Sequence, residues 1–266
     1  MSERAWRDRR GSPDRFGYEW GAYAEILPEH EEQFRRWTAA LGAAGWAGKE
    51  FLDVGCGMGR NSFWALRYGA AGGVAVDIDD RSLASARRNL RSFPAVRVMR
   101  ASAYDLPFRD RFDLVFSIGV IHHLAMPQQA LDAMARAVKP GGRVLIWVYG
   151  LENNRWLVSL LDPLRRILLS RLPIGLTHHL SLYPAAMIWG LLRLGLCPTE
   201  YFRLIAGFDF GHLRAIVFDQ MLPRIAHYWP RETVAQMMAR AGLVDIRLAW
   251  VNEMSWSAVA TRPERA

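Results

Sequence analysis

Residues 50–77 read EFLDVGCGMGRNSFWALRYGAAGGVAVD, and this stretch decides the fold. The run EFLDV predicts a buried strand, RNSFWALRYGA predicts a helix, and GGVAVD predicts a second strand. Gly55, Gly57 and Gly59 have no side chains, so the backbone between strand and helix can turn sharply and let a ligand lie against the positive end of the helix. The stretch therefore predicts a strand, turn and helix unit with a ligand at its turn.

The alternation of strands and helices continues to Gly150 and resumes after residue 230. Continuous Val, Ile and Leu runs between helices are typical of a parallel sheet that is covered on both faces. The last two apolar runs are close enough in sequence to pair as an antiparallel hairpin. We therefore predict a doubly wound α/β fold, with a mostly parallel, seven-stranded, Rossmann-like sheet and a C-terminal antiparallel edge hairpin. The further strands are predicted in VRVMRA, FDLVFSIGV, GRVLIWVYG, DIRLAWVNE and SWSAVATRP.

Between residues 151 and 230 leucine-rich segments punctuated by prolines replace the alternation. A leucine stripe predicts an amphipathic helix here, and Asp162–Pro163 is predicted as the cap and first residue of a renewed helix. The stretch Leu172–Leu192 has no charged residue, but its prolines and glycines argue against a membrane-spanning helix. We predict a helical cap insertion that roofs a substrate cavity. The alternatives are a homodimer interface and an interfacial membrane patch with Arg165, Arg166 and Arg171 at the headgroups.

The N-terminal region begins with a polar tail of about fifteen residues, followed by the aromatic run FGYEWGAYAEI. EHEEQFRRWTAALGAAG, residues 29–45, predicts a helix that acidic residues open and glycines close. The predicted organisation is then an N-terminal lid segment at 1–45, a ligand-binding core at 46–150, the cap at 151–230, and a C-terminal helix with the edge hairpin at 231–266.

Composition limits the function classes. The net charge of +8 comes almost wholly from arginine and could favour nucleic acid or an anionic membrane, but the arginines are spread along the chain and form no dense run. The two cysteines, Cys56 and Cys197, have neither disulfide-framework nor zinc spacing, so no metal is predicted. The charged start lacks the apolar stretch of a secretory signal, so we expect a cytoplasmic protein.

Two acidic residues flank the glycine turn. Asp53 precedes the first glycine, where a carboxylate suits a cationic aminoacyl group and would repel the pyrophosphate of a dinucleotide. Asp77 ends the next strand, at about the interval expected of a ribose-binding acid, and Ile78 could pack on an adenine. Asp53 could instead cap its helix and Asp77 could be a turn residue. Their joint occurrence favours a nucleoside ligand with a cationic group.

With these motifs the chain resembles the class I S-adenosylmethionine-dependent methyltransferase superfamily. The resemblance rests on DVGCGMGRNSFWALRYGA, VAVDI, DLPF, FDLVFSIGVIHHL and VKPGGRVLIWVYG between Asp53 and Gly150, and it extends weakly to the edge hairpin and to FGYEW. Bacterial methyltransferases of natural-product and glycan clusters are the most similar members. The resemblance implies that S-adenosylmethionine is the cofactor and S-adenosylhomocysteine the product.

The resemblance also implies cofactor contacts along the core. The three glycines and Asp53 would line the methionine portion, and Asp77 would bind the ribose. Family members commonly have an aspartate where this chain has Ser102, and a serine is a weaker acceptor for the adenine amino group. The expected cofactor contacts are Trp20, Asp53, Gly55, Cys56, Gly57, Gly59, Asp77, Ile78, Ser102, Ala103 and Ser117.

Histidines and tyrosines are the candidate catalytic groups. His122 and His123 follow the fourth strand at the mouth of the expected cleft, and histidine can remove a proton from a hydroxyl or ammonium acceptor. In the similar phosphoethanolamine methyltransferases, an N-terminal tyrosine and a histidine after this strand form a latch over the substrate, which Tyr18 or Tyr23 could imitate here. The alternative is that these residues serve packing and backbone hydrogen bonds.

The expected function is metal-independent methyl transfer to a small, largely apolar molecule through an oxygen, nitrogen or carbon acceptor. An RNA methyltransferase and a non-catalytic nucleoside-binding module are the alternatives; the N/D-P-P-Y/F turn of adenine-modifying enzymes is replaced here by SIGVIHHL. A nicotinamide-dependent oxidoreductase would need GxGxxG, which the chain lacks. The candidate substrate contacts in the cap are Tyr201, Phe208, Phe210, His212, His227 and Tyr228.

Overall fold

The computed structural model describes residues 12–264, apart from the side chains of Leu157 and Arg166. The charged first segment of the predicted lid, residues 1–11, and the last two residues of the predicted C-terminal segment lie outside the described residues. The predictions for those residues, for Leu157 in the leucine stripe and for Arg166 at a membrane surface therefore stay predictions.

Within residues 12–264 one sheet of seven strands runs in the order β3-β2-β1-β4-β5-β7-β6. The first five strands are parallel, and β7 pairs antiparallel with both β5 and β6. The predicted α/β sheet and its antiparallel edge hairpin are confirmed. The strands are β1 (Glu50–Val54), β2 (Gly72–Asp77), β3 (Val96–Arg100), β4 (Phe112–Ile118), β5 (Val138–Tyr149), β6 (Val244–Val251) and β7 (Ser255–Thr261).

The two faces of the sheet bury separate apolar clusters, because successive side chains of a strand point to opposite faces. In β4, Val115 packs into one cluster, and Leu114 and Phe116 pack into the other. The parallel strands end at one edge, which is where ligands bind in such folds. The helices of this part are α3 (Arg60–Arg67), α4 (Asp80–Asn89), α5 (Pro127–Ala137) and α11 (Arg231–Arg240).

Two helices precede the sheet: α1 (Pro13–Ala22) and α2 (Glu29–Trp37). The predicted polar tail is wrong from Pro13 onward, since Pro13 and Asp14 occupy the first turn of α1, where both residue types are favourable. The predicted helix at 29–45 is too long, because α2 ends at Trp37 and only a short 3₁₀ turn follows at Ala43–Gly45.

The cap segment folds into α6 (Arg155–Ile167), α7 (Ile174–Leu180), α8 (Leu182–Arg193), α9 (Glu200–Ile205) and α10 (Phe210–Met221). The predicted helix start at Asp162–Pro163 is wrong. Pro163 lies inside α6 on its exposed side, where water can take the place of the missing backbone donor. Arg165 does not reach the surface: it is 1% exposed and pairs with Asp162. In the described part of the chain, no helix has the length and apolar character to cross a membrane.

Candidate active site

The glycine turn lies between the end of β1 and the start of α3. Gly55, Gly57 and Gly59 all have positive φ angles, of 79°, 54° and 84°. A Cβ atom on Gly57 would lie 3.0 Å from Nε1 of Trp20, because the indole of α1 lies directly over the turn. The turn thus needs glycine both for its backbone conformation and for its contact with the N-terminal helix.

Asp77 holds the turn from the neighbouring strand. One carboxylate oxygen accepts the Gly57 N–H at 2.9 Å, and the other accepts the N–H groups of Ile78 at 2.7 Å and Asp79 at 3.0 Å. Burial raises the pKa of Asp77, and these backbone hydrogen bonds oppose the rise. The carboxylate lies in the wall of a cavity that begins at the glycine turn, and it can accept hydrogen bonds from ligand hydroxyls.

A cavity of about 1420 Å³ extends from the glycine turn into the cap. Its core end is lined by the turn, the ends of β2 and β4, and α1 and α2, and its other end by α6, α8, α9 and α10. The predicted site residues that line it are Trp20, Tyr23, Gly55, Cys56, Gly57, Asp77, Ile78, Ser102, Ala103, His123, Tyr201, His212 and Tyr228.

Other predicted site residues lie behind the cavity wall. Asp53 is fully buried; one oxygen accepts the Ser62 hydroxyl at 2.7 Å and the other has no partner among the described residues. Burial raises the pKa of Asp53 to about 7. Ser117 is also fully buried and donates to the carbonyl of Val54 at 2.8 Å. The predicted residues outside the wall are Tyr18, Asp53, Gly59, Ser117, His122, Phe208, Phe210 and His227.

The paired histidines occupy different positions. His122 is fully buried with its ring against Tyr149, at a centroid distance of 3.9 Å, and neither ring nitrogen has a partner among the described residues. His123 lines the cavity, and its Nδ1 donates to the carbonyl of Ile225 at 2.8 Å, which leaves Nε2 as the acceptor of a neutral ring. Burial lowers the pKa of His123 to about 3, so its imidazole is a weak base.

The predicted tyrosine–histidine latch forms with another histidine. Tyr23 makes a hydrogen bond of 2.9 Å with Nε2 of His178 on α7, and Tyr18 packs edge-on against the same imidazole. The tyrosines thus join the N-terminal region to the cap, whereas α1 contacts the turn that carries His122 and His123 through Phe16, whose ring centroid is 4.9 Å from that of His123. His178 can reach Tyr23 because α7 lies beside the end of α1.

Several polar residues in the cavity wall were not predicted from the sequence. Arg60, directly after the glycine turn, lies between the rings of Trp20 and Trp37, 5.3 and 5.0 Å from their centroids. Glu19 of α1 and Asp219 of α10 lie in the same wall. The motifs CGMGR and FGYEW contain Arg60 and Glu19, so both could have been found, and Asp219 directly follows the apolar run AIVF.

The core end of the cavity fits an S-adenosyl ligand. The side-chain oxygens of Gln33 and Asn61 are buried there without a partner among the described residues, as acceptors for an ammonium would be. Arg60 offers a guanidinium for a carboxylate, and Asp77 offers acceptors for ribose hydroxyls. Residues 12–264 contain no group of three His, Cys, Asp or Glu side chains that could hold a metal ion.

Comparison with known proteins agrees with this geometry. Residues 52–146 match a family model described as a methyltransferase domain. The ubiquinone biosynthesis O-methyltransferase of Azoarcus sp. (strain BH72) is 30% identical over 162 residues, which are 60% of this chain and 68% of that protein. A demethylmenaquinone methyltransferase of Clavibacter sepedonicus is 34% identical over 122 residues, 46% of this chain, and the match spans only about half (49%) of its length.

Solved structures share the fold at low identity. An O-methyltransferase family protein from Burkholderia thailandensis matches with a TM-score of 0.58 at 14% identity, over 99% of this chain and 63% of that one. The N-methyltransferase NodS of Bradyrhizobium japonicum, solved with S-adenosylhomocysteine, matches with a TM-score of 0.52 at 14% identity, over 89% and 87%. The chain belongs to the class I S-adenosylmethionine-dependent methyltransferase superfamily. It is an enzyme of that superfamily, a methyltransferase.

Proposed function

We propose that this methyltransferase binds S-adenosylmethionine along the glycine turn. Asp77 would accept the ribose hydroxyls, and Ile78, Ser102 and Ala103 would surround the adenine. Gln33 and Asn61 would accept from the ammonium, and Arg60 would bind the carboxylate; the orphaned oxygens of the first two support this assignment. When bound, the cofactor supplies an electrophilic methyl group on a sulfonium.

The proposed acceptor is a small lipophilic molecule with a hydroxylated ring. The cavity's volume of about 1420 Å³ carries this proposal, because drug-sized ligands fill pockets of roughly 300–1,000 Å³ and the space left beside a cofactor would hold a second large ligand. Leucines, isoleucines and methionines of α6, α8 and α10 line its cap end. The names of the relatives, which belong to ubiquinone and menaquinone biosynthesis, favour a quinol-type ring with an apolar tail.

Two measurements test the proposal. Calorimetry should detect S-adenosylhomocysteine binding to the wild type, and Asp77→Ala should abolish it.

Methylation of quinol probes should become more efficient as an alkyl tail is lengthened, and Ala215→Trp, which fills the cap end, should remove the gain for the long tail. Ala186→Trp is the control, since Ala186 is exposed on α8 outside the cavity wall. Equal rates for short and long tails would contradict a lipophilic acceptor.

We further propose that the cap reaches an anionic lipid surface, from which the acceptor enters. Leu160 is 71% exposed and Met187 62% exposed, yet both also line the cavity, so apolar surface continues from the cavity to solvent. Residues 154–199 contain five arginines and a single acid, Asp162, which pairs with buried Arg165. Exposed apolar side chains flanked by arginines are typical of contact with anionic headgroups.

Vesicle binding tests the lipid surface. We expect the wild type to bind phosphatidylglycerol vesicles, to bind phosphatidylcholine vesicles less, and to lose binding in Leu160→Asp. Val244→Asp is the matched control, because Val244 is an exposed apolar residue on the far edge strand. Absence of vesicle binding would overturn this proposal. So would a dimer in light scattering that dissociates in Leu160→Asp, since the surface would then join two copies.

A further inference from the structure

Two carboxyl groups from distant parts of the chain meet inside the cavity. Glu19 is on α1, is 2% exposed, and has one oxygen, Oε2, buried without a partner among the described residues. Asp219 is on α10, which packs against α1, and its carboxyl is close enough to that of Glu19 for the two groups to interact electrostatically. Both side chains line the cavity that also contains the glycine turn. Glu19 precedes Trp20 in FGYEW, and Asp219 lies outside every motif that carries the resemblance.

The surroundings of the pair combine donors with a fixed positive charge. The Tyr149 hydroxyl donates to Asp219 at 3.4 Å and accepts from the Gln220 amide at 2.8 Å. Arg60 faces both acids from the start of α3. These groups form a polar subsite in the cavity, and the unpartnered Oε2 of Glu19 points to a polar ligand group.

Two adjacent buried carboxyls cannot both be ionised at low cost, so they hold one proton between them. Burial, together with the neighbouring Asp219, raises the pKa of Glu19 well above its usual range. Burial also raises the pKa of Asp219, to about 6, although Arg60 and the Tyr149 hydroxyl oppose the rise. The pair therefore has one carboxylate free to accept a proton near neutral pH.

We propose that Glu19 and Asp219 form a proton-sharing base that removes the proton of the acceptor hydroxyl during methyl transfer. This inference rests on the proposed function and names the catalytic groups of that site. The acceptor oxygen bonds to the methyl carbon as the carbon–sulfur bond breaks, the sulfonium becomes a thioether, and the hydroxyl proton passes to the pair. The pair then releases the proton to water. The histidines are less suited, since His122 lies outside the cavity wall and His123 is a weak base.

The pH profile distinguishes this base from a structural contact. Transfer should be slow below about pH 6, where the pair holds a second proton, and should rise as pH increases through that value. The charged and titratable groups that face the pair are Arg60, Arg165, Tyr23, Tyr149, Tyr201 and Tyr228. Burial raises the pKa of each of these four tyrosines, so their hydroxyls stay neutral between pH 5 and 8. The part of the rise that disappears in Glu19→Gln and Asp219→Asn belongs to the two carboxyls, because Asp53, whose pKa is also raised, is intact in both variants.

The experiment compares Glu19→Gln and Asp219→Asn with Glu29→Gln, an exposed control of the same chemistry on α2. With the tailed quinol probe, each of the first two should lose about 10²–10³ in kcat, keep S-adenosylhomocysteine affinity within threefold, and lose the rise near pH 6. Glu19→Asp should recover part of the rate. Wild-type kcat and an unchanged pH profile in Glu19→Gln and Asp219→Asn would overturn the inference.

A second measurement stays informative if no probe is methylated. Infrared difference spectra of the S-adenosylhomocysteine complex should show a protonated carboxyl band of the pair that persists above pH 6 and grows as the pH falls through that value, and this growth should be absent in Asp219→Asn. A wild type without that band overturns the shared proton, whatever the acceptor is. A wild type with the band, which binds S-adenosylhomocysteine but methylates no hydroxylated probe, contradicts the proposed acceptor and leaves the carboxyl pair standing.

Discussion

Asp53 links the folding of the core to pH at the scale of one residue. Its pKa is about 7 in the folded protein because burial disfavours the ionised form, against about 3.9 in an unfolded chain. Between these values the folded protein keeps a proton that the unfolded chain has released. The contribution of Asp53 to the free energy of unfolding is therefore greatest below about pH 4. It is lost as the pH rises through 7, and the loss is on the order of 4 kcal/mol.

Asp53→Asn should remove this loss, because an amide oxygen can still accept from Ser62 and cannot ionise. Urea unfolding of the ligand-free protein between pH 5 and 8 should show a flatter stability profile for Asp53→Asn than for the wild type. Glu232→Gln, at an exposed carboxyl in the first turn of α11, should keep the wild-type slope. Parallel slopes for all three proteins would refute the prediction.

Gly57 shows how one backbone conformation controls the site. Gly57→Ala puts a Cβ at a φ of +54° and 3.0 Å from the Trp20 indole, so it should destabilise the fold by about 1–2 kcal/mol and weaken S-adenosylhomocysteine binding. Gly21→Ala is the opposite control, since a Cβ there meets nothing within 4 Å on α1. It should stabilise by about 0.5 kcal/mol. Unfolding and calorimetry of both variants check the contrast.

At the scale of elements, the sheet could be predicted and α1 could not. The strands of the core are continuous apolar runs, and such runs can be recognised in the sequence without knowledge of distant contacts. Helix α1 contains two glycines, Gly17 and Gly21, which hide its helical pattern. Its formation depends on tertiary packing instead: a Cβ on Gly17 would lie 2.1 Å from Asp79, so this glycine lets α1 lie against the start of α4. Such an approach leaves no periodic signal.

Arg15 fixes α1 to the cap. Its buried guanidinium donates to the carbonyls of Leu222 at 2.9 Å, Leu169 at 3.0 Å and Leu172 at 3.1 Å, and to the Thr177 hydroxyl at 3.1 Å. Arg15→Met would remove all four of these hydrogen bonds and leave the Leu222 carbonyl without its side-chain donor, so we expect a loss of about 3 kcal/mol in the free energy of unfolding.

Arg171→Met is the control for Arg15→Met. Arg171 lies on the same cap but is exposed, so its replacement should change the free energy of unfolding by less than about 0.5 kcal/mol. Trypsin should also cut the N-terminal helices of Arg15→Met faster than those of the wild type, because α1 would be less firmly held against the cap. If both variants unfold alike, the guanidinium does not hold α1 in place.

At the scale of the whole molecule, the sequence could predict the nucleoside end of the cavity but not the acceptor end. Asp77 and the glycine turn lie within 25 residues of each other, in a unit whose geometry is fixed by local chain direction. Glu19 and Asp219 are 200 residues apart and come together only through the packing of α1 on α10. His178 is a similar case: it comes from the cap and contacts Tyr23, where the resemblance implied His122 or His123 as the partner.

The division of the cavity into two ends gives a last prediction. S-adenosylhomocysteine at about 100 times its Kd should stabilise the protein by about 2.7 kcal/mol, a shift in Tm of about 5–10 °C. Because Trp20 on α1, Gln33 on α2 and Arg60 on α3 line the core end, amide hydrogen exchange should slow in those elements and in the glycine turn. Helices α8 and α9 line the other end and should keep their exchange rates. Asp77→Ala, which removes the ribose acceptor, should show neither the Tm shift nor the slower exchange. Protection confined to α8 and α9 in the wild type would instead mean that the nucleoside binds under the cap.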